Sequence, residues 1–144
     1  MFDPSRDQVR DTFFEAWRKY RTGEPIVGAE ALALDAILAH PEYHELLAQP
    51  ERFRGRDYSG ESNPFLHMSL HVALAEQLSI DQPSGIVQRF AALVSRTGER
   101  HAALHEAIEC LAETVWRAQR DGRPPDAAAY LACLQAKCGG AGAP

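Results

Sequence analysis

The stretch NPFLHMSLHVALAEQLSI (residues 63–80) reads as a helix with a marked start. Asn63 offers a side-chain oxygen to the first free backbone N–H groups, and Pro64 has its φ already set for the first helical position. Nothing breaks the run before Asp81-Gln82-Pro83-Ser84-Gly85, which has turn composition. His67 and His71 stand four apart, so they share one face, a turn apart.

The same logic extends outward. Beyond the turn, the spacing predicts a helix over 85–96 closing at Gly98, and the longest helix over 99–121 closing at Gly122. Arg123-Pro124-Pro125 is a stiff connector, and Asp126 caps a last helix ending near Lys137. Toward the N-terminus, Asp3-Pro4 repeats the cap-plus-proline signal. A helix runs from there to about Arg21, with Val9, Phe13, Trp17 and Tyr20 as its expected core stripe. A second helix covers about 28–39, with Leu32, Leu34, Ile37 and Leu38 apolar. Pro41 either kinks it or starts a short new helix to about Gln49. Residues 50–62 read as the longest loop and the most mobile segment. No period-2 run of β-branched residues reads as a strand. The expected architecture is an all-α single domain over 1–138, with a disordered tail over 139–144. It is a bundle of about six helices centred on two long antiparallel ones, 64–80 and 99–121.

Composition narrows the function classes. The chain has 144 residues, 45% of them apolar, which is enough for one ordinary core. A formal net charge of −5 argues against nucleic acid as a partner. No apolar run approaches the ~18–20 residues a membrane span needs, and MFDPSRDQVRD lacks the apolar stretch of a signal peptide. Cys110, Cys133 and Cys138 are an odd set without a CxxC pair. Cys133 and Cys138 sit about 140° apart on a helix, which disfavours a bridge between them. Free buried thiols in a reducing cytoplasm are the expectation.

All six histidines fall in pairs spaced i, i+4: His40/His44, His67/His71 and His101/His105. Random placement gives ~0.2 such pairs, so three disjoint ones on three helical segments call for a reason. Two imidazoles on one helix face converge on a cation, and neutral imidazole is the commonest biological metal ligand. Glu109 continues the His101/His105 stripe by one more turn and is the first-ranked carboxylate, with Glu15 and Asp35 as distant candidates. Glu76 lies five beyond His71 and points away. The expected ligand set is His40, His44, His67, His71, His101, His105 and Glu109. Six imidazoles exceed the three of a mononuclear catalytic zinc and suit two divalent ions, with Glu109 as a bridge. The absence of thiolates argues against a soft-metal cage; nitrogen and carboxylate donors fit iron, manganese, zinc, nickel or copper, and a carboxylate-containing bundle puts iron first and zinc second.

Other motifs carry less. GxxxxGK[ST], GxGxxG and GxSxG are absent, and HEAIE (residues 105–109) lacks the second histidine of HExxH. Tyr43 is a core aromatic before it is a ligand, and Trp116 reads as core. Arg52, Arg54 and Arg56 read as a solvated loop.

HPEYHELLAQP, NPFLHMSLHVALAEQLSIDQP and HAALHEAIECLAETVWRAQRDGRPPD together resemble a proteobacterial family known as domain of unknown function 1841. The resemblance runs from DQVR to AYLACLQ. It implies a small, bacterial, cytosolic, stand-alone protein and carries over no catalytic residue. A second likeness, of architecture alone, is to hemerythrin-like di-iron bundles, although three HxxxH pairs depart from that ligand order.

The functional expectation is a metal-binding helical bundle, with di-iron oxygen or peroxide chemistry leading and dioxygen or another small molecule as its ligand. One alternative is a zinc hydrolase that uses a metal-bound water, with Glu109 or Glu106 as base. The other is a non-catalytic metal-sensing, storage or interaction protein with a buried histidine network.

Overall fold

A computed structural model describes residues 4–58 and 62–139, with backbone alone at 4 and 5. The described residues are all-α and hold no strand. The helices are α1 (Pro4–Thr22), α2 (Ala29–Leu38), α3 (His44–Leu47), α4 (Pro50–Phe53), α5 (Pro64–Ile80), α6 (Ile86–Thr97), α7 (Arg100–Asp121) and α8 (Ala127–Lys137), with a 3-10 turn over Pro41–Tyr43. Among the described residues eight helices replace the expected six, because the stretch from Pro41 onward is less irregular than its prolines imply. Pro41 and Pro50 each stand at the first position of a short new helical turn rather than simply ending an old one. The expected cap Asp3 and the tail 140–144 lie outside the described residues. The chain divides into two compact units, Met1–Val72 and Ala73–Pro144, with the division falling inside α5.

In the first unit, α1 packs on α2 and α3. The core holds Phe13, Phe14, Ala16, Ala33, Ala36, Ile37, Leu47, Phe53, Tyr58, Phe65 and Met68. The expected α1 stripe is rotated. Val9 and Tyr20 are 43% and 49% exposed, whereas Arg10 is buried beside Phe13 and Phe14. Residues 10, 13, 14 and 17 keep the helical spacing, but a charged residue leads the stripe. One end of its guanidinium is satisfied: Nη1 donates to the carbonyls of Arg54 (2.8 Å) and Arg56 (2.7 Å). Its carbon also lies 4.8 Å from the Phe65 ring centroid and 5.5 Å from that of Tyr58. Burial lowers the Arg10 pKa from its usual value, the nearby Arg6 adding to the effect. Arg10 thus ties the chain after α4 to α1. Arg52, Arg54 and Arg56 are exposed, as expected of a solvated segment.

On α2 the buried face is Ala33, Ala36 and Ile37, and the larger Leu38 is turned outward. His40 continues that face at the helix spacing.

In the second unit, α6, α7 and α8 pack pairwise. Ile86, Phe90 and Leu93 of α6, Ala107, Ile108 and Leu111 of α7, and Leu134 of α8 are buried. The hydroxyl of Tyr130 donates to Gln77 Oε1 (2.8 Å). Cys110 and Cys133 form a disulfide between α7 and α8, with only Cys138 left free. This corrects the expectation of three free thiols. Spacing along one helix weighed only the 133/138 pair, whereas packing of two helices sets Cα atoms 5.8 Å apart at 110 and 133. Trp116, expected in the core, is 58% exposed and lies under the Arg120 guanidinium. Among the described residues, no helix is long and apolar enough to cross a membrane.

Candidate metal centre

The end of α2 builds the first part of the site. Pro41 disfavours helical geometry at His40, which takes φ −131° and ψ 71°. His40 N turns to Ile37 O (3.0 Å) and Pro41 has no N–H, so the Ala36 and Ile37 carbonyls lack their donors four residues on. Imidazoles supply them. His40 Nδ1–H donates to Ala36 O (2.7 Å), and His44 Nε2–H donates to Ile37 O (2.8 Å). A carbonyl oxygen only accepts, so each contact settles which ring nitrogen holds the proton. In the neutral His40 ring this leaves the lone pair at Nε2. His44 is spent on the Ile37 carbonyl at Nε2, and its ring packs 4.2 Å from that of Trp17.

The start of α5 builds the second part. Asn63 caps it, its Oδ1 accepting from Phe65 N (3.0 Å) and Leu66 N (3.2 Å). His67 and His71 then rise on one face, with Met68 and Leu74 buried alongside His71. His67 Nε2 stands 3.0 Å from His40 Nε2 and 3.2 Å from His71 Nε2. The three rings meet at steep angles, with centroids 4.5–4.8 Å apart. His40 is 1% exposed and His71 6%. Tyr43 lies parallel to His40, centroids 5.5 Å apart, and burial raises its phenol pKa, the neighbouring Glu42 adding to the effect.

These distances fit ligation. Nitrogens held ~2.0–2.1 Å from a tetrahedral zinc ion lie about 3.3–3.4 Å from one another. Proton bookkeeping points the same way. His67 Nε2 carries either one proton or one lone pair in its ring plane. It therefore cannot make straight hydrogen bonds to both neighbours. A cation at the common focus accepts all three lone pairs. The Nδ1–H of His40 on a backbone carbonyl is also the outer partner that orients metal-bound histidines.

In the second unit His101 and His105 are half-buried neighbours on α7, ring centroids 4.3 Å apart. Glu109 is turned to solvent, its carboxylate 69% exposed and 2.7 Å from Lys137 Nζ. Glu15 pairs with Arg18, whose hydrogen bond pulls the carboxyl pKa below its usual value, and Asp35 is exposed. Glu76 is exposed, as its spacing predicts. Sequence reading missed the Ala36 carbonyl, because backbone acceptors leave no residue signature. A signal for it was present, however: a proline directly after His40 marks a helix end with carbonyls to satisfy.

No curated protein and no solved structure matches the chain. The family described as Domain of unknown function (DUF1841) matches residues 5–136. That match runs from the first turn of α1 to the last turn of α8, and the chain belongs to the DUF1841 family.

Proposed function

We propose that this protein binds a divalent transition-metal ion through the Nε2 atoms of His40, His67 and His71. The observation that carries the reading is the convergence of three imidazole nitrogens, with His67 Nε2 3.0 Å from His40 Nε2 and 3.2 Å from His71 Nε2. Three neutral imidazoles, and no thiolate or carboxylate among the three donors, suit zinc above iron. The expectation of iron leaned on Glu109, whose carboxylate is engaged by Lys137. Three donors also account for one ion rather than two. His101 and His105 stay in the proposal as added donors, and a second ion would have to draw on them. With a ligand position left open, a bound zinc would supply a polarised water or carbonyl, as in metal-assisted hydrolysis. A bundle interior without that open position would make the ion structural.

Elemental analysis of untagged protein purified without chelator tests this. The expected content is about one ion per chain in wild type, falling to background in His67→Ala and His40→Ala. His101→Ala and His105→Ala, measured alongside, show whether the α7 pair adds donors. Wild-type protein with negligible metal, or equal metal in wild type and His67→Ala, overturns the reading.

A further inference from the structure

The first unit holds a cavity of about 500 Å³, walled by α1 and by the α3–α4 segment. Its apolar lining is Phe14, Trp17, Leu47 and Pro50. Small-molecule sites have this makeup, an apolar lining with a few polar groups, in volumes of roughly 300–1,000 Å³. The Trp17 ring is packed on His44 and Tyr20, with centroids 4.2 and 5.6 Å away. Five charged residues also line the cavity, and three of them are already paired. Arg18 donates to Glu15 (3.0 Å) and to Glu24 (2.5 Å), and Arg54 donates to Asp11 (2.5 Å). The other two are Arg21 on α1 and Glu51 on α4. Neither has an ion-pair partner among the described residues, and both are exposed, within reach of a solute.

From one uncommitted cation and one uncommitted anion beside an apolar wall, we infer that the cavity binds a zwitterion with an apolar body. The ligand class is a free α-amino acid with a large hydrophobic side chain. The Arg21 guanidinium is a planar fork of donors that matches a carboxylate. The Glu51 carboxylate accepts from an ammonium group. Phe14, Trp17, Leu47 and Pro50 suit the side chain, whose removal from water supplies most of the affinity. A simple acid would leave Glu51 unanswered and a simple amine would leave Arg21 so, whereas an amino acid answers both. The cavity shares no lining residue with His40, His67 and His71, so the inference stands apart from the metal reading.

Trp17 fluorescence provides the test. Trp116 is 58% exposed, so Trp116→Phe removes the other tryptophan at little cost to the fold, and every titration uses that background. The probes are L-phenylalanine, hydrocinnamate, which lacks the ammonium, and phenethylamine, which lacks the carboxylate. L-phenylalanine is expected to give a saturable change, with each analogue binding about three- to fivefold more weakly, as for loss of one exposed ion pair. With Arg21→Gln added, L-phenylalanine is expected to bind no better than phenethylamine. With Glu51→Gln added, it is expected to bind no better than hydrocinnamate. Ala48→Phe fills the cavity from an exposed lining position. It is expected to keep the helical circular dichroism and to weaken all three probes about tenfold. His67→Ala is expected to bind the probes as the parent does. No saturable response, equal binding of the three probes, or the parent order of affinities in both Arg21→Gln and Glu51→Gln overturns the inference. Hydrocinnamate binding more tightly than L-phenylalanine overturns it by showing a simple anion site. Undiminished binding in Ala48→Phe overturns it by placing the response outside this cavity.

Discussion

His40 Nε2 lies 3.0 Å from His67 Nε2, and the opposite nitrogen of His40 donates to Ala36 O at 2.7 Å. The second contact decides the meaning of the first. With its proton held at Nδ1, His40 offers a lone pair to the space it shares with His67. A metal that binds only the folded chain stabilises it by mass action, by about 2.7 kcal/mol at a hundredfold excess over Kd. Adding a strong chelator is therefore expected to lower the thermal midpoint of wild type and to leave His67→Ala unmoved. Equal chelator responses in the two proteins would count against ligation by His67.

Glu109 separates the structure from the sequence expectation. On a helix diagram it extends the His101/His105 stripe, but its carboxylate is 69% exposed and pairs with Lys137. Exposed ion pairs contribute about 0–1 kcal/mol. Glu109→Gln is expected to retain the wild-type metal content and to shift the urea midpoint only slightly. Loss of metal in this variant would restore the carboxylate to the ligand set.

Arg10 is the charged residue whose removal is expected to cost most in the first unit. It is 2% exposed and serves the Arg54 and Arg56 carbonyls. Hydrogen bonds from charged groups contribute roughly 1.5–3 kcal/mol each, and Arg10→Ala also strands buried acceptors. A loss of about 2–4 kcal/mol in urea unfolding is expected. Arg10→Lys is expected to recover little, since a point charge does not reproduce a planar fork of donors.

The Cys110–Cys133 disulfide closes a loop across a sequence separation of 23. Chain-entropy reasoning assigns a loop of that size about 3 kcal/mol. Reductant is expected to lower the stability of wild type by roughly that amount and to leave a Cys110→Ala plus Cys133→Ala variant unchanged. If reductant has no effect on wild type, the bridge is absent from the protein in solution.

Asp81 provides a pH test. Its carboxylate accepts from Val87 N (3.0 Å) and Gly85 N (3.2 Å) at the start of α6, and those backbone donors, Val87 first, hold its pKa below the ordinary value. A depressed folded-state pKa means stability that is present above the unfolded pKa and lost as pH falls through the folded one. Asp81→Asn is therefore expected to be less stable than wild type near pH 7, with the gap closing as pH drops below the ordinary aspartate range. A gap that does not change with pH would rule out the carboxylate's charge as its origin.

The helices were legible where local chemistry controls them. Asn63-Pro64 marks the start of α5 and Gly122 the end of α7, because a cap oxygen, a preset φ and a left-handed terminal residue act within one turn. Which face turns inward was less legible. Arg10 displaced Val9 from the buried stripe, and Ala33 and Ala36 did the same to Leu38. Ranking side chains by hydrophobicity fails where a cation finds carbonyls, or where close packing of helices favours small residues.

The sequence by itself determined that the chain is helical and that its histidines come in facing pairs, since both follow from periodicity within single segments. Only the tertiary structure decided what each pair does. His67 and His71 meet His40, His44 is drawn off to the Ile37 carbonyl, and Glu109 is held by Lys137. The physical reason is that a ligand set is a matter of where the nitrogen lone pairs and protons point. Partners far away in sequence settle that: a helix-end carbonyl for one ring, a second helix for another.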